Sequence, residues 1–118
     1  MGYDLNFWKY KKDVYLEHQD TYIKCSEEEL VDGLEDLPIE AIIKDVQQKF
    51  ANWKMEGSTI DFENPDGKGA FGISTTKQFV RFDCYGMEGE DMNQIIEVMV
   101  TYNCPLYDPQ VPQRYDGE

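Results

Sequence analysis

Basic residues are scarce in this chain. It has 11 Lys and Arg against 24 Asp and Glu, which gives its 118 residues a formal charge of -13 at pH 7. Residues 17–40 hold nine acids and a single base, Lys24, while residues 82–113 hold six acids and no base. Direct binding of nucleic acid is disfavoured, because phosphate binding requires clustered Lys and Arg. The imbalance favours steering of a positively charged partner, although an acidic surface also serves solubility alone.

Histidine and cysteine are few as well. His18 is the only histidine, and Cys25, Cys84 and Cys104 are far apart and form no C-x-x-C pair. This spacing predicts neither a disulfide framework nor a metal site, and the thiols are expected to pack in the core. No nucleophile and base are paired by spacing, and chance carboxylate pairs are expected among so many acids. We therefore expect no enzymatic activity, no catalytic residue, no metal and no cofactor.

Long apolar runs are also missing. No stretch approaches 18 apolar residues, so no membrane span is expected. The first residues show no basic region followed by an apolar stretch, so no secretory signal is indicated and a cytoplasmic location is expected. The aromatic content of 14% excludes an acidic disordered chain. The length predicts one globular domain over residues 1–118.

Two amphipathic helices are predicted. Residues 38–53 carry an apolar stripe at helical spacing, formed by Ile39, Ile42, Ile43, Val46, Phe50 and Trp53. Residues 88–103 carry a second stripe, formed by Met92, Ile95, Ile96, Met99 and Val100. A shorter first helix is predicted over residues 26–33, because Ser26 and Glu29 have the spacing of a capping box. Residues 14–24 are compatible with either a strand or an irregular loop.

The remaining elements are strands. They are predicted over residues 3–8, 58–62, 70–74 and 79–85, with an Asn-Pro-Asp-Gly turn at residues 64–67. The apolar helix faces need a sheet to cover, which predicts a single α/β domain (α+β in content) with a mostly antiparallel sheet and the two main helices packed on one side. Residues 105–118 are too rich in proline for a central strand. They are expected to form an extended edge segment or an ordered tail, with residues 115–118 fraying.

Three stretches suggest a known class. They are Tyr-Asp-Leu-Asn-Phe-Trp-Lys at residues 3–9, the turn at residues 64–67, and Met-Asn-Gln-Ile-Ile at residues 92–96 leading to Cys-Pro-Leu-Tyr-Asp-Pro-Gln at residues 104–110. The chain resembles small bacterial immunity proteins encoded beside polymorphic toxins, including those of contact-dependent growth inhibition. The resemblance implies a cytosolic protein that binds a cognate secreted toxin domain, often a nuclease, and blocks its active site or substrate path. A nuclease is basic where it holds phosphates, which fits an acidic inhibitor.

Candidate partner-binding residues lie in the acidic first-helix region and in the tail. They are Glu27, Glu28, Asp32, Glu35, Asp36, Tyr107 and Asp108. The first five are expected to face a basic toxin domain, although the same acids would also suit a solvated helix face. Leu106 and Tyr107 are expected to dock on the sheet or on a helix edge, with Asp108 accessible. A second function uses the same charge: an acidic adaptor or nucleic-acid mimic that occupies a DNA- or RNA-binding protein.

Overall fold

Alternating apolar residues build one antiparallel sheet. The structure, a computed structural model, describes residues 2–14, 16–55, 61–104, 106–108 and 113–115. The strands in these ranges are β1 (Gly2–Trp8), β2 (Lys54–Met55), β3 (Asp61–Glu63), β4 (Ala70–Thr76), β5 (Phe79–Tyr85), β6 (Leu106–Asp108) and β7 (Gln113–Tyr115). Their order across the sheet is β2-β3-β4-β5-β1-β6-β7, and every pair is antiparallel. The predicted fold class is confirmed. Residues 58–60 of the predicted second strand lie outside the described residues.

Two helices cover one face of the sheet. They are α2 (Ile39–Lys49) and α3 (Gly89–Thr101). Both helices are predicted by their apolar stripes, but α2 ends at Lys49 and does not reach Trp53. Ile42 and Val46 of α2 and Ile95 of α3 are fully buried against alternate residues of β1, β4 and β5. Val98 is buried in place of the predicted Val100, which is exposed. The reason is that residues 95, 98 and 99 form the i, i+3, i+4 set that faces the sheet.

Among the described residues, the opposite face is covered at one end only. Trp8 of β1, Phe79 of β5 and Tyr107 of β6 point to this side and form a second apolar cluster. Cys25 of helix α1 (His18–Ser26) completes it, together with Val31, Leu34 and the partly buried Tyr10 and Tyr22. Side chains alternate between the faces of a strand, so β1 and β5 contribute to both clusters.

The first helix begins earlier than predicted. The prediction of a helix over residues 26–33 is wrong, since α1 ends at Ser26. Glu17 is the N-cap, and its carboxylate accepts a hydrogen bond of 2.7 Å from the backbone N–H of Asp20. Glutamate is not a preferred capping residue, so this helix start is not recognisable from the sequence. Residues 18–24, whose sequence is compatible with a strand or a loop, are helical.

The tail extends the sheet. Leu106 and Tyr107 of β6 pair with Phe7 and Asn6 of β1, and β7 pairs with β6 on its outer side. The prediction that this segment lies at an edge is therefore wrong for β6, which lies between two strands. The predicted docking is confirmed, because Tyr107 is fully buried and Leu106 packs on the main core. Most of the stretch predicted to fray, residues 116–118, lies outside the described residues, and Tyr115 belongs to β7.

Candidate functional site

The acidic loop over residues 27–38 is pinned to the sheet. Gln78, in the turn between β4 and β5, is buried beneath this loop. Its side-chain oxygen accepts a 2.8 Å hydrogen bond from the N–H of Val31, and its amide donates to the carbonyls of Val31 (3.1 Å) and Leu34 (3.4 Å). The N–H of Leu37 donates to the carbonyl of Lys77. The loop is therefore held in place, although no helix forms there.

Glu28 occupies an unfavourable position at the end of α1. Its φ is +63°, in the left-handed region where glycine is preferred. The N–H of Glu28 donates to the carbonyl of Cys25, and the N–H of Glu29 donates to that of Lys24, both at 3.0 Å. These two bonds define a Schellman motif whose left-handed position is normally glycine. Glu27 and Glu28 also lie at the negative end of the helix dipole, where acids are destabilising.

The predicted acids do not form one surface. Glu27, Glu28 and Asp32 are exposed and follow α1. Glu35 and Asp36 lie instead beside basic residues. The Lys9 ammonium is 3.5 Å from the Glu35 carboxylate, and Lys11 and Lys12 share a groove of about 470 Å³ with Glu35 and Asp36.

The two predicted contact residues of the tail, Tyr107 and Asp108, also have different environments. Tyr107 is fully buried, and its hydroxyl donates to the side-chain oxygen of Gln19 on α1. Tyr107 is therefore a packing residue and not a contact residue, because no part of its surface is accessible. Asp108 ends β6 and pairs with Gln113, and its side chain lies outside the described residues.

A row of acids crosses the part of the sheet that no described element covers. Strand register places Asp61 beside Gly72, Gly72 beside Asp83, and Asp83 beside Asp4. The four residues share one face, the face opposite α2 and α3, because they alternate with core residues of their strands. We call this set the acidic row. The residue types alone gave no hint of it, since its members come from four strands.

A trough lies along the acidic row. It has a volume of about 410 Å³, and Ala70, Gly72 and Ser74 of β4 line it between the flanking strands. Its acidic lining consists of Asp61, Glu63 and Asp83, and Tyr85 is 57% exposed beside them. The small residues of β4 make the trough concave because they add little bulk between β3 and β5.

Two carboxyl groups of the row interact directly. Burial, a hydrogen bond with the side chain of Asp83 and repulsion by its charge raise the pKa of Asp4, while Arg81 opposes the shift. The Arg81 Nε lies 3.3 Å from an oxygen of Asp83. Burial and the charge of Asp4 also raise the pKa of Tyr22, which places α1 at the border of the row. Like charges in direct cross-strand positions are destabilising, so the row is kept at a cost in stability.

His18 stacks on a neighbouring ring, and the cysteines are buried. The hydroxyl of Tyr10 lies 2.7 Å from the Nδ1 atom of His18, and the two rings are stacked. Burial raises the pKa of Cys25 to about 11 and that of Cys84 to about 12, so both are uncharged thiols at neutral pH. Within the described ranges, no three His, Cys, Asp or Glu side chains are placed to hold a metal ion.

Comparisons with known proteins assign no family. The sequence matches no protein-family model, and a search of curated proteins gives no relative. Among the helices that the structure describes, none has the length and apolar character required to cross a bilayer.

Proposed function

We propose that this protein is an immunity protein, which binds a basic, secreted bacterial toxin domain and blocks its active site or substrate path. The observation that carries the proposal is the placement of Glu28. An acid stands in a left-handed position at the negative end of a helix, where glycine would stabilise the fold. Strain that does not serve the fold is typical of residues that serve a binding site.

The charge of the whole chain supports the same proposal. An inhibitor of an incoming toxin benefits from fast association, and complementary charge raises association rates. The net charge of -13 gives the protein a negative electrostatic field. The exposed acids Glu27, Glu28 and Asp32 concentrate negative charge beside α1. The resemblance to immunity proteins supplies the class of partner.

The experiment is a growth-protection assay with the toxin domain encoded immediately beside the gene of this protein. Co-production with the chain is expected to restore growth, and the two purified proteins are expected to form a complex on gel filtration. Loss of growth together with no complex would contradict the proposal. Capture of a host DNA- or RNA-binding protein, without protection, would favour the adaptor or nucleic-acid mimic.

Glu28 can be tested separately from the fold. The Glu28→Gln variant removes the charge and keeps the size of the side chain, and Glu40→Gln makes the same change on the exposed surface of α2, across the sheet. We expect Glu28→Gln to slow association with the toxin domain by about threefold at low salt, while Glu40→Gln has a smaller effect. Equal effects of the two variants on the association rate would show that Glu28 has no special role in binding.

A further inference from the structure

We propose that the trough, on the sheet face that no described element covers, receives an arginine side chain of the basic toxin domain. This assignment rests on the proposed function and adds to it the docking surface and the chemistry of the contact. The occupant is one basic segment of the partner, and the trough is the part of the acidic surface that gives this segment a defined position.

The shape of the trough suits one long side chain. Asp61 and Asp83 are both cross-strand neighbours of Gly72, so the two acids are about 10 Å apart with a glycine between them. Ala70 and Ser74 continue this low floor along β4. A side chain that lies over Gly72 therefore has a carboxylate on either side.

Arginine fits this trough better than lysine. Its planar guanidinium forms two parallel hydrogen bonds with a carboxylate, whereas an ammonium is a point charge. Tyr85, whose ring is largely exposed at the trough, offers an aromatic face on which a guanidinium stacks. Together, the carboxylates of Asp61 and Glu63 and the ring of Tyr85 favour a guanidinium, because Asp83 is already paired with Arg81.

The trough and a small cleft beside Glu28 share one lining residue, Ser74. The cleft has a volume of about 80 Å³, and Glu28, Ser74 and Arg81 are among its lining residues. One partner surface can therefore contact the end of α1 and the acidic row together. The shared Ser74 connects the trough to the residue on which the proposed function depends.

The charge of the chain argues against a second copy as the occupant. Two trough faces would bring acidic rows together between chains that each carry a net charge of -13. Repulsion between such surfaces disfavours the pairing, and only a cationic partner has complementary charge.

The first experiment uses octa-arginine and octa-lysine peptides as probes of the surface. The ¹⁵N-labelled protein is titrated with each peptide at low salt, and amide shifts are followed by NMR. We expect the largest shifts in β3, β4 and β5 around the acidic row, with octa-arginine binding at least about threefold tighter than octa-lysine. Shifts confined to residues 27–38, or equal affinities for the two peptides, would overturn the assignment.

Two kinds of variant test the trough in the same titration. Gly72→Val fills its floor and changes no charge, whereas the double variant Asp61→Asn/Glu63→Gln removes two charges and keeps the shape. The matched control, Glu40→Gln/Glu90→Gln, removes two charges from α2 and α3. We expect octa-arginine to bind about fivefold more weakly to both trough variants than to the control. Equal binding by the double trough variant and the control would contradict the proposal, even if Gly72→Val failed to fold.

The same variants, measured with the toxin domain, separate this inference from the proposed function. If the wild-type chain binds the toxin domain and the double trough variant binds it about tenfold more weakly than the control does, the trough assignment is supported. If the wild-type chain, the double trough variant and the control bind the toxin domain alike, the trough assignment is wrong and the proposed function stands. If the wild-type chain does not bind, the proposed function is wrong and the assignment to a toxin fails with it.

Discussion

The carboxyl groups of Asp4 and Asp83 face each other across strands β1 and β5 and share a hydrogen bond. Burial of Asp4, its hydrogen bond with Asp83 and the charge of Asp83 all raise the pKa of Asp4, because each disfavours its ionised form. The nearby Arg81 is paired with Asp83 and offsets only part of the repulsion. The pair thus stores unfavourable energy on the sheet face to which we assign the partner.

The first prediction concerns this pair. The raised pKa of Asp4 means that the folded state holds the proton more tightly than the unfolded chain does. The stability from this group is fully present below the ordinary pKa of 3.8 and is lost as the pH rises through the raised value. The Asp4→Asn variant avoids that loss and should be more stable than the wild type by about 0.5 kcal/mol at pH 7.

Urea unfolding at several pH values measures the effect. The difference between Asp4→Asn and the wild type should shrink as the pH falls through the raised pKa of Asp4, and it should be smallest below 3.8. Asp66→Asn, in the exposed turn before β4, is the control and should change stability by less than about 0.5 kcal/mol. A variant at Asp4 that is less stable than the wild type at pH 7 would show that the pair supports the fold.

The second prediction concerns Glu28. Glycine adopts a left-handed conformation without the steric cost of a side chain, so Glu28→Gly should raise the free energy of unfolding by about 1 kcal/mol. Asn103→Gly is the control, since Asn103 has a φ of +60° and asparagine tolerates this region. Asn103→Gly should raise the free energy of unfolding by clearly less than Glu28→Gly does. Denaturant unfolding compares the two, and an unchanged or lower stability of Glu28→Gly would contradict the strain on which the proposed function depends.

The third prediction concerns Gln78. Gln78→Glu replaces the amide that donates to the carbonyls of Val31 and Leu34 with a carboxylate that cannot donate. The buried charge would then face two carbonyl oxygens, and the variant should lose about 2–3 kcal/mol of stability. Gln48→Glu, on the exposed side of α2, should change it by less than about 0.5 kcal/mol. Similar midpoints in urea for the two variants would mean that the loop is not held by this side chain.

The fourth prediction concerns the thiols. Cys25, Cys84 and Cys104 are buried and form no disulfide, and burial keeps the first two uncharged at neutral pH. A disulfide reagent such as DTNB reacts with thiolates, so labelling of the native protein at pH 8 should be at least about 100-fold slower than after unfolding. Titration of the unfolded protein with DTNB should detect three thiols per chain. Rapid labelling of the native state would show that the apolar clusters around these thiols open readily.

Periodicity made much of this fold predictable, and register made the site unpredictable. The stripe through Ile42 and Val46 and the alternation of β5 depend on neighbouring residues, so both could be read from the sequence. Helix α1 was missed because Glu17 is an uncommon cap. The acidic row joins residues 4, 61, 72 and 83, which only strand pairing brings together. The uncommon left-handed conformation of Glu28 was likewise not encoded in a recognisable pattern.

The central claim is that an acidic surface around Glu28 and the acidic row captures a basic toxin domain. Stopped-flow association between the chain and the toxin domain encoded beside its gene, measured from about 50 to 500 mM NaCl, tests it most directly. The wild-type rate should fall steeply with salt, and the triple variant Glu28→Gln/Asp61→Asn/Glu63→Gln should start lower and fall less steeply. A triple variant with the wild-type rate and slope would contradict the claim.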